Sequence, residues 1–487
     1  MSTVLGNGNI TFGDGSVLWG FTGNNEPTSF AVGDTALLSN LPGSGLYNTA
    51  VGIYSLYNNL SGQYNTAAGW GTLAYNGTGV ENTAVGYGAL NSSTSGSYNV
   101  AFGASALAGN IVGNGCTAIG YNALQYSNST NNTGIGYGAL AGISPALAVG
   151  WNNTAVGSLS LLNIAGGYDN TTIGYNSGSN IYTGNNNIAI GSQAMAQGIT
   201  YNAGSFIVGC GYVITNSGNT SFTNAGATAN TVGTIFIATG PGNATTNGTA
   251  IGITTGRNNT AVGTNALTSL LNANGNVSIG ATAMLNNTTG YQNTAIGNQC
   301  MRYNTTGANN TSLGSQTLGG GSMNGNNNTA VGYYAGNLIT SGSGNVILGG
   351  FTAAGVSSPA VGITTQNDYI SIGSTSTTSA QIHVAWTVTS DIRDKTNFQT
   401  IPHGLDFVNG IETTSYQFTH DRITNEINGP VRYGFKAQQL LELEGNNPVI
   451  IDKSDSNKLK YNESCLIPVL VNAIQELTAR LAILEGK

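Results

Sequence analysis

Between residues 48 and 349 the apolar positions come in short alternating runs that each stop at a glycine. The clearest are Asn48-Thr49-Ala50-Val51-Gly52, Asn82-Thr83-Ala84-Val85-Gly86, Asn259-Thr260-Ala261-Val262-Gly263 and Asn328-Thr329-Ala330-Val331-Gly332, with looser copies between them. Alternation at period 2 over three residues predicts a short strand with one buried face. Thr with Val or Ile flanks the small residue in the main copies. Elsewhere the flanks are both apolar, as in Val100 with Phe102, Ile188 with Ile190 and Val346 with Leu348. The intervening Ala suggests close approach of another backbone on the opposite face. Glycine permits a turn that other residues make at a cost. Asn stands four before it in 14 of 16 copies, the exceptions being Cys116 and Ser205; it tolerates a left-handed corner and can stack amide on amide. A second short strand is expected around pairs such as Ala89-Leu90, followed by a polar loop back.

The closing glycines fall at 52, 69, 86, 103, 120, 136, 157, 174, 191 and 209, then at 263, 280, 297, 314, 332 and 349, so most steps are 17. Self-similarity at this period predicts a solenoid, whose repeats bury their apolar faces only against their neighbours. Residues 210–250 break the rhythm, carrying only the half-copy Val232-Gly233-Thr234-Ile235-Phe236-Ile237. A distorted coil and an inserted loop pair both fit, and a structural irregularity is favoured over a binding role.

Composition supplies the domain plan. Residues 1–389 hold two basic residues, Arg257 and Arg302, and six acidic ones, whereas 390–487 hold ten basic and thirteen acidic. That change marks a boundary between a charge-poor repeat region and a domain of ordinary globular composition. The expected units are an entry segment at 1–46, a repeat shaft at 47–389 and a C-terminal domain at 390–487. No basic patch suggests nucleic acid. The four Cys lack metal or disulfide spacing and the three His fall late, so neither metal nor cofactor is expected. The start Met1-Ser2-Thr3-Val4-Leu5-Gly6 lacks the pattern of a signal peptide, and no apolar run reaches membrane-spanning length. Cytosolic synthesis without a secretory route and without membrane insertion is therefore expected.

Candidate chemistry lies in the C-terminal domain. Ser390-Asp391-Ile392-Arg393-Asp394-Lys395 places a hydroxyl and an amine five residues apart, where a turn can join them. A Ser hydroxyl needs a base, and a Lys serves as one when burial lowers its pKa. A second motif is Gly434-Phe435-Lys436-Ala437-Gln438-Gln439. The closing helix carries apolar residues at Ile467, Leu470, Ile474, Leu477, Leu481 and Leu484, three and four apart, which is a coiled-coil seam. Pro468 fits its first turn if Ser464 is the cap. Ile at one seam position and Leu at the other leans, by itself, toward two strands.

Two resemblances extend this reading. Residues 47–349, with their N-x-A-[VI]-G phrase, resemble the head repeats of trimeric adhesins and the shaft repeats of viral tail fibres, which implies a trimeric parallel β-roll. The segment from Ser390 resembles the self-cleaving intramolecular chaperone domain of phage tail spikes and endosialidases, a peptidase S74-like family with S-D-x-R-x-K and G-F-x-A-Q-E motifs. The resemblance implies that Ser390 attacks the bond between Thr389 and Ser390 with Lys395 as base. It also implies that Asp391, Arg393, Gly434, Phe435, Ala437 and Gln438 support the site. Asp394 stands where an apolar residue is commoner in that family, and Gln439 where Glu is usual.

The fold expected is mainly β, a repetitive trimeric β-solenoid with a small C-terminal α+β domain ending in a coiled-coil helix. The function expected is that of a viral fibre or spike assembled in the host cytoplasm and displayed on the virion. Its partners would be two further copies of itself, a host cell-surface receptor with glycans among the candidates, and other virion proteins through the N-terminus. A cell-surface adhesin or structural repeat protein using the same trimerisation domain is the alternative. Aromatics after the corners (Trp70, Tyr87, Tyr121, Tyr137, Tyr175, Tyr333) fit a coil-on-coil packing ladder or a carbohydrate-stacking stripe, packing being favoured. Six carboxylates in 389 residues argue against glycoside hydrolysis.

Overall fold

The computed structural model describes residues 3–5, 9–11, 17–23, 26–39, 44–142, 149–196, 200–202, 205–208, 210–218, 221–232, 234–242, 249–350, 363–373, 377, 390–419, 425–446, 448–454 and 459–486. Two compact units emerge, Met1–Ser374 and Thr375–Lys487.

In the first unit, seventeen strands from Glu26–Val32 to Ile370–Ile372 pair in parallel, one per coil of a β-solenoid. Equivalent residues sit above one another, Thr49 on Thr66, Ala50 on Ala67 and Val51 on Ala68. The strands Thr3–Leu5, Asn9–Thr11 and Val17–Gly23 extend the sheet with antiparallel pairings. The coil series therefore starts at Phe30-Ala31-Val32-Gly33, ahead of the first copy read from the sequence.

The buried face of each strand is its central small residue. Ala50, Ala67, Ala84 and Ala101 are fully buried, while flanking residues such as Val51, Val100, Phe102 and Ile119 stand exposed within one chain. The small residue is needed because Leu56, Leu73, Leu90 and Leu107, from the facing side of each coil, fill the same core. These leucines do not lie on a second strand. Leu56, Leu73 and Leu90 adopt φ of 49°, 51° and 52°, and the Ala89-Leu90 region is a turn. A left-handed leucine costs roughly 1–2 kcal/mol, which full burial of its side chain, worth about 1.5–3 kcal/mol, offsets. The alternating handedness sends every second N–H group here to opposite neighbours. That of Gly88 donates to the Trp70 carbonyl at 2.8 Å, and that of Leu90 to the Ala106 carbonyl at 2.9 Å.

Buried asparagines tie the coils together. The Asn82 Nδ2 donates to Asn65 Oδ1 at 3.1 Å and to the Gly96 carbonyl at 2.8 Å. Its Oδ1 accepts from the Asn99 backbone N–H at 3.0 Å and from Asn99 Nδ2 at 3.1 Å. The same exchange recurs through Asn187 and Asn259 to Asn345. The left-handed residue is the one before each asparagine, namely Tyr47, Tyr64, Glu81 and Tyr98, and not the asparagine itself. The corner glycine has two reasons to be glycine. At Gly86 φ is +126°, and an added Cβ would lie 2.7 Å from the backbone of Gly103, so the coils could not approach.

The break in the rhythm is an insertion with its own fold. Strands Thr200–Asn202, Gly211–Asn216, Ile235–Ile237 and Thr249–Ile253 form a separate antiparallel sheet. Phe206, Tyr212, Phe222 and Phe236 pack into its core. The copy read as closing at Gly209 is therefore not a coil; Phe206 belongs to the insertion, and Gly209 lies outside the described residues. The solenoid resumes in register, with Ile188 paired to Thr260.

The second unit contains helix α1 (Leu405–Gly410), a hairpin of Thr413–Thr419 with Ile427–Phe435, helix α2 (Ala437–Glu444), a short pair Ile451–Asp452 with Lys460–Tyr461, and helix α3 (Glu463–Leu484). Phe407, Leu440, Ile450, Ile451, Leu466 and Val469 make its core. The cap of α3 is Asn462 rather than Ser464, whose hydroxyl donates to Asn462 Oδ1 at 2.7 Å. Pro468 thus lies in the second turn, inside the helix, and its missing N–H leaves the Ser464 carbonyl without its helical donor. Among the described residues α3 is also the helix long and apolar enough to cross a bilayer, although no uninterrupted apolar run in it is that long. Its Asn472 and Glu476 instead bond to the segment that opens α1.

The asparagine ladder predicts the effect of repairing its gap. Cys116 occupies one rung: its N–H donates to Asn99 Oδ1 at 2.9 Å and its Sγ reaches the Ser129 carbonyl at 3.0 Å. It returns no acceptor comparable to an amide oxygen. Cys116→Asn is expected to add about 1–2 kcal/mol and to raise the thermal unfolding midpoint, whereas Asn82→Cys lowers it. A lower midpoint for Cys116→Asn would refute the ladder as the stabilising element.

Candidate active site

Ser390 opens the long described stretch of the second unit and is followed by a 3-10 turn, Ile392–Asp394. Asp391 starts that turn because its short carboxylate reaches the N–H two residues on, as N-cap residues do. Its Oδ1 accepts from the Arg393 N–H at 2.9 Å, and its carboxylate takes three further bonds from the guanidinium, the shortest 2.6 Å from Nη2 to Oδ2. The Arg393 side chain and N–H hold the Asp391 carboxyl below its ordinary value, and the same pairing raises Arg393. The turn reverses the chain enough to bring Lys395 back over Ser390. The Lys395 Nζ donates to Ser390 Oγ at 2.5 Å and to the Ser390 carbonyl at 3.3 Å.

The predicted nucleophile and base are therefore in contact, and Asp391 with Arg393 shapes the turn that joins them. Both Ser390 and Lys395 are exposed within one chain. Thr389, on the other side of the expected cleavage point, lies outside the described residues. Asp394 forms no ion pair with Lys395 among the described residues, so the neighbouring carboxylate does not claim the amine.

The second motif builds the unit. Gly434 lies where an added Cβ would come within 2.8 Å of the Tyr416 ring. Phe435 packs toward the core, its ring edge-on to Tyr461 at 5.8 Å. Lys436 pairs with Glu412 at 3.1 Å, and Ala437 opens α2 against the core. Gln438 is exposed on α2. Gln439 explains its own departure from Glu. Its Oε1 accepts from the Glu412 N–H at 3.1 Å while its Nε2 donates to the Gly410 carbonyl at 3.2 Å. A carboxylate makes only the first of these bonds. No hydrogen bond joins Gly434–Gln439 to Ser390–Lys395 among the described residues. His403 stacks on Phe407 at 4.3 Å, while His383 and His420 lie outside the described residues.

Sequence reasoning missed two carboxylates that organise this unit. Glu444, buried at the end of α2, accepts from the N–H groups of Val449, Ile450 and Ile451 at 2.7, 2.6 and 2.8 Å. Glu476 on α3 accepts from the Leu405 N–H at 2.7 Å and so caps α1 from outside. Their N–H donors are loop-bound or distant in sequence, so no local spacing announces them. Among the described residues no group of His, Cys, Asp and Glu is placed to hold a metal.

Residues 390–447 match the family model described as the chaperone of endosialidase, Peptidase_S74, a family of self-cleaving peptidases. No curated protein and no solved structure matches the chain.

Glu444 offers a stability test. Its three charge-assisted bonds, each worth about 1.5–3 kcal/mol, satisfy backbone groups that burial would otherwise strand. Glu444→Ala is expected to destabilise the second unit by at least about 3 kcal/mol, measured by denaturant unfolding of the full chain. A loss below 1 kcal/mol, taken as roughly one ordinary hydrogen bond, would refute its anchoring role.

Proposed function

We propose that the chain is the subunit of a trimeric virion fibre that contacts the host surface and matures by one cut between Thr389 and Ser390. The observation that carries the chemistry is the 2.5 Å bond from Lys395 Nζ to Ser390 Oγ, within the segment that matches the self-cleaving family. The viral part of the reading rests on the resemblance of residues 390–487 to tail-spike chaperones.

In this reaction neutral Lys395 takes the proton of Ser390 Oγ as that oxygen attacks the Thr389 carbonyl carbon. The tetrahedral adduct collapses with rupture of the Thr389–Ser390 C–N bond, and the proton held by Lys395 passes to the Ser390 nitrogen. An ester joins Thr389 to Ser390 Oγ. One water hydrolyses it, leaving the Thr389 carboxylate and restoring the hydroxyl. The products have 389 and 98 residues.

Two surfaces support association between copies, and the number three rests on the resemblance of the repeat region to trimeric fibres. The aliphatic strand flanks form an exposed outward row, including Val51, Ile119, Ile173, Ile279 and Leu348. On α3 the seam Ile467, Leu470, Ile474, Leu477, Leu481 and Leu484 is exposed, while the adjacent face, Leu466, Val469 and Ala473, packs inward. Apolar stripes of this kind are buried by partners. Association also bears on the chemistry. A lysine becomes a base when burial disfavours its ammonium form, and within one chain Lys395 is exposed, so that burial is assigned to neighbouring copies.

Denaturing electrophoresis of refolded protein tests the reading. Wild type is expected to yield the two fragments, with Ser390→Ala and Lys395→Ala remaining intact, a slowing of at least about a hundredfold. The cleavage rate should also rise with chain concentration until association saturates. Equal cutting of Ser390→Ala, or a rate independent of concentration over a hundredfold dilution down to dissociated monomer, contradicts the proposal.

A further inference from the structure

Past the glycine corners of the early coils, exposed aromatic rings enclose a trough of about 500 Å³. Trp70 and Tyr87 stack along one wall, ring centroids 4.9 Å apart and 9° from parallel. Tyr54 and Tyr57 close one end, Tyr54 standing edge-on to Trp70 at 6.0 Å. Asn91 and Ser105 add polar atoms to the lining, with Asn91 Nδ2 fixed by the Gly71 carbonyl at 2.8 Å.

The floor shows that the space is kept open. Gly71 and Gly88 occupy the second position after the corner glycine, with φ of +60° each. Other coils place Tyr54, Ser105, Asn122, Thr282 and Tyr334 at that position with φ between 54° and 59°. The backbone therefore does not require glycine there. An added Cβ on Gly88 would meet nothing within 4 Å, and one on Gly71 only Asn91 Nδ2 at 3.4 Å. The missing side chains are what leave the trough empty between its aromatic walls.

Charge selects the class of occupant. Between residues 35 and 168 the only charged residue is Glu81, which is not part of the trough lining. Such a site offers a charged ligand no counter-ion, whereas aromatic faces beside a few amide and hydroxyl groups match a ring with apolar faces and a polar rim. We propose that this trough binds a neutral oligosaccharide, one sugar ring lying against the Trp70–Tyr87 wall. The trough follows the glycine corner and the aliphatic row precedes it, so the ligand site and the subunit face are distinct parts of each coil. This inference supplies a ligand class for the attachment role proposed above and rests on that reading for its biological sense.

The test uses the full chain on an array of neutral and acidic glycans, with Gly88→Tyr, Trp70→Ala and Trp151→Ala alongside. Trp151 stacks on Tyr168 at 4.9 Å in a later coil, outside the trough. Binding to neutral glycans is expected, lost at least tenfold in Gly88→Tyr, which fills the trough, and in Trp70→Ala, which removes a wall. Trp151→Ala should bind as wild type. Sedimentation and melting of each variant confirm assembly. The proposal is overturned if wild type binds no neutral glycan or only acidic ones, or if Trp70→Ala retains binding. It is equally overturned if Trp151→Ala loses as much, or if Gly88→Tyr changes the oligomeric state, which would make the trough a subunit contact. Fragment formation is read on the same wild-type sample, so failure of glycan binding with cleavage intact refutes the trough and leaves the self-processing reading standing.

Discussion

Most coils of the first unit send a side-chain amide into their interior, where no water is available to it, and much of the repeat follows from satisfying that amide. Asn82 uses both donors and both lone pairs, and all four bonds run to other coils or to the glycine that closes the next loop. Few side chains fit this position. Asp lacks the donor and would stack like charges, and Ser reaches too short a distance to bond both ways. Because the amide bridges neighbouring coils, it fixes their separation. At that separation the corner backbones meet so closely that Gly86 has no room for a Cβ. The coil is then so narrow that Ala84 faces Leu90 with no space for a larger partner.

The same economy creates a problem of specification. When every coil presents the same outward row and the same backbone pairing, a neighbouring chain displaced by one coil meets nearly the same surface. Eight charged residues in 389 do little to distinguish one coil from the next. Departures from the repeat, such as the antiparallel insertion with its aromatic core and the glycine-floored trough, are the places where coils differ. The C-terminal unit has the opposite character. Its long-range bonds, Glu476 to Leu405 and Asn472 to His403, define one arrangement and no register alternatives. A unit of that kind can set an alignment that the repeats lack the information to set.

Much of this architecture is visible in the sequence because a repeat averages over its own noise. Sixteen copies make the Asn, Ala and Gly positions stand out, and each corresponds to one steric or hydrogen-bonding demand. The turn at Ala89-Leu90 was misread because leucine at positive φ runs against local preference, and only burial in the coil core compensates. The copy closing at Gly209 misleads because an apolar pair before glycine also suits the edge of an unrelated small sheet. Ser464 looked like a helix cap because spacing from Pro468 favoured it, but the short strand Lys460–Tyr461 delivers the chain to Asn462 first. Glu444 and Gln439 were silent because their partners are backbone groups, which sequence does not mark.

Ser390 and Lys395 were legible for a different reason: the turn that joins them is local. Asp391 and Arg393 close it within three residues, so proximity of nucleophile and base needs nothing from the rest of the fold. Proximity is half of what the chemistry requires. The other half is removal of water, since a hydrated ammonium cannot accept a proton from the hydroxyl. The described residues of one chain provide the contact and leave it exposed. On the proposal that association supplies the dry environment, the two requirements are met separately, contact within one chain and burial between chains. Exposure of Ser390 and Lys395 in the single chain is what that proposal expects.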